Sequence, residues 1–126
     1  MARAMSLGAI GFLLAGAGSA FAASLVLPQD RYGNEEGCAF LASGDLDSDT
    51  LRYLTRDELS SYGTSCSVVW VAADKAGNQR AAAICSYEGK DMLGAEDFVV
   101  AAPLPPGSIK IFTAAGETWG ELEPCS

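Results

Sequence analysis

The sequence predicts a small α+β domain that is mainly β, with one helix and two disulfides. Short apolar or alternating runs follow one another after residue 66, separated by turn residues such as Gly, Pro, Asn and Asp. One segment carries a helix-start signal, and four cysteines follow an export signal. We therefore expect an antiparallel meander of five or six strands, curled into a barrel or a sandwich and stapled by its disulfides.

The first 22 residues have the three parts of a secretory signal peptide. Arg3 supplies the positive charge, residues 7–15 are strongly apolar, and the small residues before the cleavage point end at Ala22. We expect cleavage after Ala22 or Ala23. An uncleaved anchor is the alternative, because the uncharged run continues to Gln29. Export predicts a location in the bacterial periplasm or outside the cell, with no membrane attachment after cleavage.

The segment 23–37 lacks sustained periodicity and is predicted to be an extended arm before a single domain at 38–126. Residues 38–42 form a short apolar run compatible with a buried strand. A helix is predicted within 47–62, because Thr55-Arg56-Asp57-Glu58 matches a capping box and apolar side chains fall near one face. Gly63 can supply the left-handed residue that ends such a helix.

A β-hairpin is predicted from Cys66 to Glu88, with strands at 67–73 and 80–87 around a turn at 74–78. Both faces of this hairpin are largely apolar, which favours a central position covered on both sides. Further strands are expected at 97–102, 108–113 and 118–122, with a proline-rich break after the first of them.

The four cysteines are Cys38, Cys66, Cys85 and Cys125. Export implies an oxidising compartment, so they are expected to form two disulfides. Three pairings are possible, and we favour Cys38–Cys66 with Cys85–Cys125. A bridge between Cys66 and Cys85 ranks lower, because directly opposed residues on neighbouring strands constrain the bond geometry tightly.

The chain is acidic, with 8 Lys and Arg against 16 Asp and Glu and a net charge of −8. Loss of Arg3 with the signal peptide leaves 7 cations and a net charge of −9. This sign argues against nucleic acid and anionic membrane surfaces, which select basic patches. It permits a cationic partner.

Histidine is absent, which excludes the usual imidazole base, metal ligand and serine or cysteine hydrolase triad. With the cysteines oxidised, thiolate and zinc chemistry are excluded too, and no cofactor is expected. A weak calcium candidate is the acidic loop of Asp45, Asp47 and Asp49, which matches the first ligand positions of an EF-hand. Thr50 and Arg56 then break the match. The simpler interpretation is a solvated acidic turn.

Catalysis is not expected, although scattered carboxylates leave a hydrolase as a second alternative. The candidate carboxylate pairs are Glu35 with Glu36, Glu88 with Asp91, and Glu96 with Asp97. Six aromatic residues are candidates for a stacking platform for sugar or peptide, namely Tyr32, Tyr53, Tyr62, Trp70, Tyr87 and Trp119.

These observations favour an exported, non-catalytic protein that binds a protein or cell-envelope component, with the loops Asp45–Asp49 and Lys90–Asp97 as contact surfaces. A calcium-stabilised envelope module is the alternative. In size and layout the expected domain resembles the small disulfide-bonded β proteins with which bacteria inhibit host enzymes such as lysozyme. No motif assigns the chain to a family.

Overall fold

A computed structural model of the protein describes residues 21–22, 24–45, 48–102 and 107–126. The described residues form a closed antiparallel barrel of eight strands with one helix, which confirms the predicted class. The described part has more strands than the five or six expected. The elements in chain order are β1 (Phe21–Ala22), β2 (Arg31–Gly33), α1 (Glu35–Ser43), β3 (Arg52–Thr55), β4 (Glu58–Ser61), β5 (Thr64–Ala73), β6 (Gln79–Tyr87), β7 (Gly94–Val100), β8 (Ile109–Thr113) and β9 (Thr118–Pro124).

The barrel closes because β5 pairs on both of its edges. Its neighbours run in the order β5-β4-β3-β2-β9-β8-β7-β6, and β6 pairs again with β5. The short β1 lies beside the second half of β5, with Phe21 opposite Ala72. The rest of the predicted signal peptide, residues 1–20, lies outside the described residues. Within the described part, no helix has the length and apolar character needed to cross a membrane.

The β5–β6 hairpin occurs as predicted, but its outer face is not covered. A bulge between Val68 and Trp70 shifts the register, so that Val71 faces the barrel interior and Trp70 faces outward. Val69 is 51% exposed and Ile84 is 38% exposed. A closed barrel has one interior, and each strand therefore buries one face only.

The helix α1 takes the place of the last residues of the expected arm (23–37) and of the expected strand at 38–42. Asn34 caps its start by accepting a hydrogen bond from the Gly37 amide at 2.8 Å. Gly44 ends it in a left-handed conformation, with φ of 79°. Glu35 and Glu36 in the first turn complement the positive end of the helix dipole.

The helix predicted within 47–62 is wrong: its second half forms the β3–β4 hairpin. Leu54 faces Leu59 across this hairpin, and both side chains enter the core. The Thr55 hydroxyl accepts a hydrogen bond from the Asp57 amide at 3.4 Å, which supports the tight turn instead of a helix start. Gly63 is left-handed as expected, but it lies in the turn between β4 and β5.

The segment Ser24–Asp30 closes one end of the barrel, which we call the closed end. Leu25 and Leu27 are buried in the core cluster. The side chain of Gln79 accepts a hydrogen bond from the Val26 amide and donates one to the Val26 carbonyl, each at 2.8 Å. The Arg56 guanidinium donates to the Leu27 carbonyl at 3.0 Å. Residues predicted to precede the domain therefore complete its core.

The disulfides join Cys38 to Cys125 and Cys66 to Cys85, so the favoured pairing is wrong. Cys66 and Cys85 are directly opposed on β5 and β6, with Cα atoms 4.0 Å apart. The narrow positions of an antiparallel ladder bring opposed residues to about this separation. Cys38 lies on α1, which places it next to the end of β9 and Cys125.

This pairing predicts a specific non-reduced tryptic map. Each cysteine lies in its own tryptic peptide: 32–52, 57–75, 81–90 and 111–126. Mass spectrometry should find 32–52 linked to 111–126 and 57–75 linked to 81–90, because these peptides carry the bonded pairs. Linkage of 32–52 to 57–75 would contradict the structure.

Gly37 is predicted to be essential for the close packing of α1 against β3. A Cβ added there would lie 1.8 Å from the Arg52 carbonyl oxygen, so Gly37→Ala should lower the free energy of unfolding by about 2 kcal/mol. Helix propensity alone predicts the opposite sign. The matched control is Gly120→Ala, whose Cβ meets its nearest atom at 3.6 Å and should change stability by less than about 1 kcal/mol. Urea denaturation measures both, and a stabilised Gly37→Ala variant would refute the contact.

Candidate functional site

The end of the barrel opposite the closed end carries a concentration of negative charge, and we call it the acidic end. The turns 62–63, 88–93 and 114–117 lie there, and the connection from α1 to β3 arrives there. Five described acids belong to these segments or the adjoining strand ends: Asp49, Glu88, Asp91, Glu96 and Glu117. The described cations of the same segments are Arg52 and Lys90. The predicted contact loop Lys90–Asp97 therefore lies at this end, together with Asp49 of the other predicted loop.

Toward the closed end, acids exceed cations by a smaller margin. Strand starts and turns place five cations there, namely Arg31, Arg56, Lys75, Arg80 and Lys110. Seven acids lie toward the same end, namely Asp30, Asp57, Glu58, Asp74, Glu121 and Glu123, with Glu35 beside the last two. Arg56 forms an ion pair with Asp30. The negative charge of the described chain is thus unevenly distributed along the barrel axis.

An open pocket of about 540 Å³ lies on the outer face of β3–β6 beside α1 and reaches the acidic end. We call it the Glu58 pocket. Four aromatic residues line it: Phe40, Tyr53, Tyr62 and Tyr87. Glu58 and Glu88 provide its carboxylates, and none of the described lining residues is Lys or Arg.

The Glu58 carboxylate is held by hydroxyl groups from two neighbouring strands. The Ser65 hydroxyl donates to Glu58 Oε2 at 3.0 Å, and the Ser60 hydroxyl donates to the same oxygen at 3.4 Å. The Tyr53 hydroxyl lies near both Glu58 and Ser60. Ser60 and Tyr53 are each 5% exposed, and the Tyr53 ring stacks on Phe40 with centroids 5.6 Å apart. The carboxylate therefore occupies a fixed position.

Burial raises the pKa of Tyr53 above the usual range of a tyrosine, and the nearby Glu58 carboxylate raises this pKa further, while the nearby Ser60 hydroxyl lowers it. The neutral phenol is the form that can donate a hydrogen bond to Glu58. Tyr53 thus remains a donor toward the pocket at neutral pH.

A second pocket, of about 710 Å³, opens at the acidic end between β7, β8 and β9. Leu59, Cys66 and Phe98 form its apolar floor, since these side chains belong to the barrel core. Glu96 and Glu117 lie among its lining residues. The Tyr87 hydroxyl donates to Glu96, and the ring of Tyr87 packs so closely on Gly94 that an added Cβ would lie 2.7 Å from the hydroxyl.

Arg52 is already engaged at the acidic end. Its guanidinium carbon lies 5.0 Å from the centre of the Trp119 ring, and it donates a hydrogen bond to the Trp119 carbonyl. The short β2 ends at Gly33, which leaves a gap between β3 and β9 that this contact spans. Arg52 consequently contributes to the wall of the barrel.

The structure does not show a calcium site in the acidic loop 45–49, which is only partly described. Asp45 and Asp49 are exposed, and Asp47 lies outside the described residues. Among the described residues, no group of three His, Cys, Asp or Glu side chains is arranged to hold a metal ion. Calcium binding by this loop stays a prediction.

The carboxylates proposed for hydrolysis lie in several parts of the structure: Glu35 and Glu88 line different pockets, whereas Glu96 and Asp97 both line the second pocket. Glu96 and Asp97 oppose Ala83 and Ala82, so they point to opposite faces of β7. Glu36 accepts a hydrogen bond from the Thr50 hydroxyl at 3.1 Å beside α1.

The predicted aromatic platform divides among several environments. Tyr53 and Tyr62 share the Glu58 pocket, whereas Tyr32 is buried in the core and Trp70 lies on the outer face of β5. Glu58 itself was not identified from the sequence as a functional residue. The alternation of Glu58, Ser60 and Tyr62 was the available signal, because it places the three on one face of a strand.

Comparison of the chain with protein-family models, curated proteins and solved structures gives no match.

The raised pKa of Tyr53 predicts a loss of stability at alkaline pH. A neutral Tyr53 favours the folded state below the ordinary tyrosine pKa of about 10, and this contribution is lost as the pH rises through the folded-state pKa. Between about pH 9 and about pH 11, the native protein should lose more free energy of unfolding than Tyr53→Phe. Urea denaturation at each pH measures the difference. Equal losses in the two proteins would contradict the assignment.

Proposed function

We propose that this protein is an exported, non-catalytic binding protein whose acidic end engages a cationic partner. The observation that carries the proposal is the charge of the two barrel ends: acids outnumber cations five to two at the acidic end, against seven to five at the other. The two disulfides support an oxidising location outside the cytosol. The signal-peptide pattern in residues 1–22 supports export.

Fixed charges of one sign at one end of a small domain attract an oppositely charged partner over roughly a Debye length, about 8–10 Å at physiological salt. Such a field raises the rate of encounter and orients the partner before contact. The acidic end suits this role, because the strands beneath it form a closed barrel and hold its turns in place.

Association with a small basic protein, lysozyme, tests the proposal. Binding is followed on a biosensor at about 50 mM and about 300 mM salt. Asp91→Asn combined with Glu117→Gln should slow association by about three- to tenfold at low salt, since both charges lie at the acidic end. Within the described residues neither side chain forms a hydrogen bond, so both substitutions should leave the fold intact.

Glu123→Gln is the matched control, because it removes one exposed acid from the same hairpin near the closed end. It should leave the association rate within about twofold of the native value. Association that is indifferent to salt, or equally slowed by Glu123→Gln, would refute recognition through the acidic end. Absence of binding to lysozyme and to a second basic protein, cytochrome c, would refute a general affinity for cationic proteins.

A further inference from the structure

We propose that the Glu58 pocket is a recognition site for a guanidinium group, presented as an arginine side chain of a polypeptide partner. This inference rests on the proposed function and deepens it, because it assigns one contact of the cationic partner to one pocket. The residues that carry it are Glu58, the hydroxyl groups around it and the aromatic wall formed by Phe40, Tyr53 and Tyr62.

The charge of the pocket selects a cation. Glu58 and Glu88 both line it, and no described lining residue has a positive charge that could neutralise them. Around Glu58 lie hydroxyl groups that can accept as well as donate hydrogen bonds, and Ser65 and Ser86 among them are exposed. A ligand rich in donors and carrying a positive charge therefore satisfies this pocket better than an anion.

The geometry favours a guanidinium over an ammonium. A guanidinium is planar, has five N–H donors and no acceptor, and stacks on aromatic faces. The pocket combines a carboxylate with aromatic side chains, and Tyr62 is 46% exposed. An ammonium is a compact point charge that gains less from ring stacking and from several dispersed acceptors.

The position of the Glu58 carboxylate is also fixed before any ligand binds. Ser60 and Ser65 donate to the same oxygen of Glu58 from two neighbouring strands, and the stacked Phe40 and Tyr53 rings form the adjacent wall. Groups fixed in this way lose little conformational freedom on binding. The volume of about 540 Å³ accommodates the arginine side chain and part of the backbone that carries it.

The test is an NMR titration of the full exported protein with three small probes: N-acetyl-arginine amide, N-acetyl-lysine amide and N-acetyl-citrulline amide. Citrulline matches arginine in shape but is neutral. We expect arginine amide to shift the backbone amides of Ser60, Tyr62 and Ser65, and to bind at least about threefold more tightly than lysine amide. Citrulline amide should bind at least about tenfold more weakly than arginine amide.

Two variants locate the site. Glu58→Gln should weaken arginine amide binding at least about tenfold, and Glu88→Gln should weaken it about two- to threefold. Glu88 is exposed, so its variant keeps the test decisive if Glu58→Gln fails to fold. Glu123→Gln at the closed end is the control and should bind arginine amide as the native protein does.

Equal binding of arginine and citrulline amides would overturn the proposal, as would shifts confined to residues outside the pocket. Binding of a chito-oligosaccharide in the pocket in place of arginine amide would overturn it in favour of a glycan site. If lysozyme binds through the acidic end while arginine amide causes no shift, the guanidinium site falls and the proposed function stands. If arginine amide binds at Glu58 while no basic protein is bound, the proposed function falls by itself.

Discussion

The structure depends on closure of the barrel at the seam between β2 and β9. Two residues of β2, Tyr32 and Gly33, pair with β9 there, the shortest junction in the ring. The Cys38–Cys125 disulfide crosses the same junction, and the Cys125 amide donates to the Arg31 carbonyl at 2.9 Å. Because its cysteines are 87 positions apart in the sequence, this bond removes chain entropy from the unfolded state worth about 4.5 kcal/mol, more than a bond closing a short loop would remove. The disulfide thus cross-links the barrel at the strand pair that has the fewest paired residues.

Closure also explains how a chain of this size presents two different surfaces. The core is filled by inward side chains, so the strands can expose polar groups outward without losing packing. On β3–β6 these outward groups assemble the Glu58 pocket, whose members come from four strands and one helix. Every buried side-chain nitrogen and oxygen among the described residues has a hydrogen-bond partner. The polar pocket therefore lies on a rigid barrel whose buried polar groups are all hydrogen bonded within the described residues.

The sequence predicts the second half of the barrel well, because alternation and turn residues are local signals. Residues 67–73 and 80–87 lie within the observed β5 and β6. In the first half, the helix prediction is wrong because the segment Thr55 to Glu58 is compatible both with a helix start and with a tight turn. The caps of α1, Asn34 and Gly44, were visible in the sequence but enclose only nine residues. Neither the disulfide pairing nor the Glu58 pocket was predictable, since both require residues that are distant in the chain.

The points at which the described chain enters and leaves the barrel determine which end stays accessible when the protein is attached to a support. Ser24 hydrogen bonds to Asp57 in the turn of the closed end, and β9 runs toward that end before Cys125. The polypeptide therefore enters and leaves the barrel on the side away from the acidic turns. A linker joined to the barrel just before Ser24 or just after Cys125 would therefore leave the acidic end facing away from the point of attachment.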